Sequence, residues 1–232
     1  VDKPLAQDLR LGIEVDRSGL YGYTNQSTSL GSCWALSRFA GNSTQRHASM
    51  FIIEGADNLG KTTAAQKILA LSAKRAEHGL SPAAPTYYAH MSRPNAAFDF
   101  CHDYLDMMSR HAIQDRFHLG GLVWHQGVLT PDKLNFVEGH LMTLGSFLVV
   151  FYTSDDEWYK KSLMASTKEE MFDPTTIVEA NAKFRDNIPY TSRMIDIMYD
   201  VKDGQWPSEE TLNDWLFRWL ERMEETHAPV SH

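Results

Sequence analysis

The chain has 232 residues, 43% of them hydrophobic and 22% charged, with a formal net charge of -8. That is enough apolar material for one α/β domain with a modest appendage. The acidic balance argues against broad attachment to a nucleic-acid backbone, and no apolar run approaches membrane-spanning length, so a cytoplasmic protein is expected.

Residues 1–49 are rich in Gly, Ser, Thr, Asn and Tyr, as in Gly19-Leu20-Tyr21-Gly22-Tyr23. They read as an N-terminal extension, either a partly ordered arm or a lid or dimer contact. No signal-peptide core is evident there. Cys33 and Cys101 share no metal-ligand spacing and read as free thiols.

Met50-Phe51-Ile52-Ile53 is a short, apolar, β-branched run that predicts a buried parallel strand. Gly55-Ala56-Asp57-Asn58-Leu59-Gly60-Lys61-Thr62 follows, and then Thr63 to Leu71 predicts a helix from its helix formers and apolar spacing. Strand, glycine-rich turn and helix form the context of a phosphate-binding loop. Backbone N–H groups of Gly55, Asn58, Leu59, Gly60 and the first helical turn, including Thr63, would converge on an anion. Lys61 would reach the β- and γ-phosphates of a nucleoside triphosphate, and the Thr62 hydroxyl would take a place on Mg²⁺.

Beyond the loop, strand–helix alternation predicts a doubly wound parallel sheet flanked by helices. A second strand is expected at Thr86–Met91 and a helix over Ala97–Ser109. A strand at His111–Asp115 would deliver Asp115 to the carboxyl edge of the sheet, followed by Arg116. There Asp115 could hold Mg²⁺ or orient the attacking group, and Arg116 could bind a phosphate in bidentate fashion. Pro131 opens a helix towards Leu144, and Phe147–Tyr152 is the most apolar strand. A lysine-bearing helix, a helix over Thr175–Arg185, a strand at Met194–Tyr199 and a closing helix after Ser208 complete the chain. Leu212, Trp215, Leu216 and Trp219 form one apolar stripe that reads as core.

With these residues in view, the chain from Met50 onward resembles the thymidylate kinase family of P-loop deoxynucleotide kinases. Glu54-Gly55-Ala56-Asp57-Asn58-Leu59-Gly60-Lys61-Thr62-Thr63 is similar to that family's loop. Asp115-Arg116-Phe117, with Trp124 at an aromatic position, is similar to its Asp-Arg-Tyr/Phe motif, and Arg93-Pro94 to the turn after its second strand. The Asp-Arg-Phe-His-Leu-Gly form looks most like bacteriophage members, whose location would be the host cytoplasm. The resemblance implies that Asp57 meets the acceptor's sugar hydroxyl and that Arg93 and Arg116 bind its monophosphate. It also implies that Phe98 or Phe100 stacks on the base while Phe117 and Trp124 wall the pocket. ATP would be the donor and a deoxynucleoside 5′-monophosphate the acceptor, with a lid at about residues 155–175 and a possible homodimer.

Several positions depart from the family. Gly120 replaces a serine, His125 a glutamine, and neither the loop nor the lid carries the expected arginine. Lys160, Lys161 and Lys168 stand in the lid region, with Arg185 on the next helix; the lysines read either as a solvated face or as a closing lid. Two other functions therefore stay open: phosphorylation of a hydroxymethylated pyrimidine within DNA, and ATP binding without catalysis.

Overall fold

The computed structural model describes residues 49–78, 87–90, 112–124, 129–166 and 172–227, with the backbone alone at 87–90 and 112. Met50–Gly55 forms β1, every residue of it buried. It is followed by α1 (Lys61–Glu77), β2 (Tyr87–His90), β3 (Ala112–Asp115) and the short helix α2 (Leu119–Trp124). Next come α3 (Pro131–Thr143), β4 (Phe147–Tyr152), α4 (Asp156–Ala165), α5 (Pro174–Asp186) and α6 (Ile188–Thr191). The chain closes with β5 (Ile195–Asp200) and α7 (Glu209–His227). Among the described residues no helix is long and apolar enough to cross a membrane.

The five strands lie in the order β2-β3-β1-β4-β5, and all pairs are parallel. A parallel sheet flanked by helices must be apolar on both faces, which is why β1 and β4 read as unbroken apolar runs. At the amino edge the core closes on Phe51, whose ring lies 5.3 Å from Phe147 and 5.5 Å from Trp219. The Trp219 indole is buried, so its N–H needs a partner, and it donates to Ser49 Oγ at 2.6 Å. Leu212, Trp215, Leu216 and Trp219 are all buried, as the stripe predicts.

Local signals set the helix starts. Thr130 and Asp173 cap α3 and α5 with their side chains, each before a proline in the first turn, where no N–H is needed. At β5 the register with β4 shifts between Leu148 and Val149. The Asp196 carboxylate repairs the break by accepting the Leu148 N–H at 2.8 Å, and Arg222 pairs with Asp196.

Elements match the expected ones to within a residue or so at most edges, except that α1 runs on past Leu71 to Glu77. The short helices α2 and α6 have too few residues for an apolar period and were not anticipated. Residues 1–48 and the helix expected over Ala97–Ser109 lie outside the described residues.

Candidate phosphate-binding site

Register brings the site together. Ile53 stands opposite Asp115 across the β1–β3 pair, so the loop after β1 and the Asp115-Arg116 turn emerge side by side at the carboxyl edge. The loop needs two glycines. A Cβ on Gly55 (φ +134) would fall 2.1 Å from the Phe151 carbonyl oxygen. One on Gly60 (φ +78) would strike the Trp206 ring at 2.6 Å. Asn58 is also left-handed, at φ 59. Gly60 occupies the N-cap of α1 and offers no side-chain cap. The first-turn N–H groups are therefore left to backbone, solvent or an anion.

A cavity of ≈ 370 Å³ opens here, lined by Asp57, Asn58, Gly60, Lys61, Thr62, Thr63 and Arg116. Lys61 is buried and donates from Nζ to the Ala56 carbonyl. Burial, and then the neighbouring Arg116, pull its ammonium down to about 8, against Asp57, Asp115 and Glu54. The Thr62 hydroxyl donates to Asp115 Oδ2 at 2.5 Å, so a hydroxyl and a carboxylate meet at the mouth of the loop. Both are hard oxygen donors of the kind that Mg²⁺ takes. Arg116 Nη2 donates to Asp57 Oδ1 in an ion pair, and its Nε is buried without a partner among the described residues. Tyr159 of α4 is fully buried and donates from its hydroxyl to the Asp57 carbonyl, so this helix touches the loop directly.

Arg116 has φ 66, a conformation that costs a non-glycine residue on the order of 1–3 kcal/mol unless its surroundings enforce it. Three hydrogen bonds surround it. Its N–H donates to the Ile53 carbonyl at 2.8 Å, its carbonyl accepts from Gln114 Nε2 at 2.9 Å, and the next N–H, of Phe117, donates to Glu54 Oε1 at 2.8 Å. Glu54 Oε1 also accepts from Leu119 and Gly120. Burial pushes the Glu54 carboxyl above its ordinary range, against the pull of His118 and of the three backbone N–H groups. A Cβ on Gly120 would lie 3.7 Å from Glu54 Oε2, an ordinary contact, so glycine is not forced here by a clash at Cβ.

The other expected site residues divide. Leu59 is buried in the core beneath the loop, and Gly55 sits at the loop's foot. Phe117 does not wall the cavity: it is 1% exposed and packs in the core, edge-on to His118 at 5.6 Å. The left-handed turn at Arg116 directs the following side chain inward. Trp124 likewise does not line the cavity but stacks on Phe172 at 5.0 Å and 5°. His118 faces Glu138 at 3.4 Å in the interior. Burial opposes the Glu138 charge, but His118, the Arg193 N–H and Ser192 outweigh it and hold the carboxyl below its ordinary range. Lys160 and Lys161 lie exposed on α4, and Arg185 bonds Asp156 and Asp186. Arg93, Phe98, Phe100, His125 and Lys168 lie outside the described residues.

Five lining residues are not marked as site residues by the sequence: Ala64 and Lys67 of α1, Trp206 and Pro207 in the loop between β5 and α7, and Leu212 of α7. For Trp206 and Pro207 the signal is position: residues 201–208 follow a strand of a parallel sheet at its carboxyl end, where ligands bind.

No protein-family model matches the chain, and no curated protein matches it. Among solved structures it is similar to the YorR protein of Bacillus subtilis, whose crystal structure holds phosphorylated GDP. The two share 21% identity at a TM-score of 0.58, over 78% of this chain and 100% of that one. The likeness does not single out the thymidylate kinase family. It shows the fold alone, a parallel α/β sheet flanked by helices.

Proposed function

We propose that the chain is an ATP-dependent phosphotransferase whose acceptor is a deoxynucleoside 5′-monophosphate. One observation carries the reading: Thr62, which donates to the buried Asp115 at 2.5 Å, lines the same cavity as Lys61 and Arg116. A loop that binds a donor's phosphates, a pair of oxygen ligands for its cation and an arginine for a second phosphate thus meet at one strand edge. The resemblance to thymidylate kinases supports the reading, as does the nucleotide held by the Bacillus subtilis protein of like fold.

In this reading the loop N–H groups and Lys61 hold the β- and γ-phosphates, and Thr62 with Asp115 holds Mg²⁺. When bound, Mg²⁺ neutralises phosphate charge. Arg116 leaves Asp57 in part to grip the acceptor's phosphate, and its buried Nε gains a partner. Asp57, so released, can accept from the acceptor's sugar hydroxyl. The resemblance to thymidylate kinases would add Arg93 and Phe98 to the acceptor side. Transfer is then in-line displacement, driven by positioning and charge stabilisation. Trp206 offers the donor base a flat apolar face beside the loop.

The test is to incubate the protein with labelled ATP and Mg²⁺, first with the four deoxynucleoside monophosphates and then with duplex DNA containing 5-hydroxymethyluracil. A labelled diphosphate is expected. Label in the DNA alone would move the acceptor to the polymer, and ATP binding with no transfer at all would leave only a binding module.

A further inference from the structure

Two buried polar side chains beside the cavity, Gln114 and Glu54, touch neither the cavity nor each other's partners, yet both end on the backbone around Arg116. Gln114 is 1% exposed in β3, where an apolar residue would satisfy the sheet equally well. Its amide donates to the one carbonyl that a left-handed Arg116 turns towards it. We propose that Gln114, with Glu54, is a positioning residue: the two hold Arg116 in its left-handed conformation and so set where the guanidinium stands relative to Asp57 and Lys61. The inference deepens the phosphotransferase reading and rests on it for its catalytic consequence.

The geometry makes the role specific. Arg116 N–H continues the β1–β3 ladder by one bond to Ile53. Without a further constraint the next step would stay extended, since an arginine prefers negative φ. The Gln114 amide on one side of the Arg116 peptide and the Glu54 carboxylate on the other clamp the turn. From that turn the arginine reaches Asp57 in the phosphate-binding loop.

Gln114→Leu removes the donor and keeps the volume; Gln114→Asn keeps an amide but withdraws it by one methylene, and serves if the leucine variant does not fold. In the crystal structure of either variant, Arg116 is expected to return to negative φ and leave Asp57. Transfer to the acceptor should fall on the order of 100-fold, the cost of about 1 Å of misplacement, with ATP affinity unchanged. In an Arg116→Ala background the same substitution should cost nothing more, because its effect runs through the arginine. Glu54→Gln, which retains a carbonyl acceptor, should preserve transfer far better than Glu54→Ala. An Arg116 still left-handed on Asp57 in both Gln114 variants would overturn the proposal, as would an equal extra loss in the Arg116→Ala background. If the unaltered protein transfers phosphate to nothing, the functional reading fails, while the conformation of Arg116 in the variants still decides the lock.

Discussion

At the scale of single residues the site is a balance of charges held close together out of water. Arg116 and Asp57 pair, with Lys61 close enough to feel both charges. Arg116→Ala should therefore weaken acceptor use by about 2–5 kcal/mol, the usual cost of truncating a charge-assisted phosphate contact. ATP affinity, measured by calorimetry, should stay within a few-fold; a loss of ATP affinity in place of acceptor affinity would put Arg116 on the donor. Lys61 makes a second prediction, through protons. The folded protein releases its proton near pH 8, whereas the unfolded chain keeps it to about 10.5. The burial penalty is thus full below pH 8, and it is relieved as pH rises from 8 towards 10.5, where stability gains from this group. A bound triphosphate acts in the opposite direction by favouring the ammonium. At pH 8 Lys61 is about half protonated, so ATP binding should take up about half a proton, seen as a dependence of the binding enthalpy on buffer ionisation enthalpy. Lys61→Met should abolish that uptake, and an uptake unchanged in the variant would assign it elsewhere.

Elements carry the next prediction, and they show what could be read beforehand. The loop between β5 and α7 brings Trp206 over Gly60 at the cavity edge, with 47% of the residue exposed. An exposed tryptophan beside a phosphate site suits a nucleobase, and stacking of this kind is worth about 1–3 kcal/mol per base. Trp206→Ala should weaken ATP binding by that amount and leave inorganic tripolyphosphate binding unchanged; an equal loss for both would make Trp206 a support for Gly60 alone. Nothing local in the sequence signals this role. Trp206 meets Gly60 only because the sheet order β1-β4-β5 folds a late loop back on an early one. By contrast β1, β4 and the loop between Gly55 and Thr62 were legible because burial on both faces demands continuous apolar runs. α3 and α5 were legible at their starts because a capping side chain followed by proline is a local signal. Phe117 was misplaced for a different reason. Its neighbours Asp115 and Arg116 face the site, but the left-handed turn at Arg116 cannot be read from residue types and sends Phe117 into the core.

At the scale of the whole molecule, charge bears on whether the proposed acceptor is free or polymeric. The formal net charge is -8, and the cations lining the cavity among the described residues are Lys61, Lys67 and Arg116. In the proposed arrangement Lys61 and Arg116 are already occupied by donor and acceptor phosphates, so little positive charge is left here to track a duplex. Binding to DNA through 6–10 phosphate contacts would lose about 10³–10⁵ in affinity between 50 and 200 mM salt, because each contact releases counterions. A small nucleotide gripped in a partly buried cavity is screened far less. With a deoxynucleoside monophosphate as acceptor, kcat/KM should change by no more than about tenfold over that range. The measurement is phosphate transfer at 50 and 200 mM KCl to the monophosphate and, separately, to a hydroxymethylated duplex. A steep loss on the duplex, together with turnover there that exceeds the monophosphate's at low salt, would mean that a cationic surface elsewhere on the chain carries the nucleic acid.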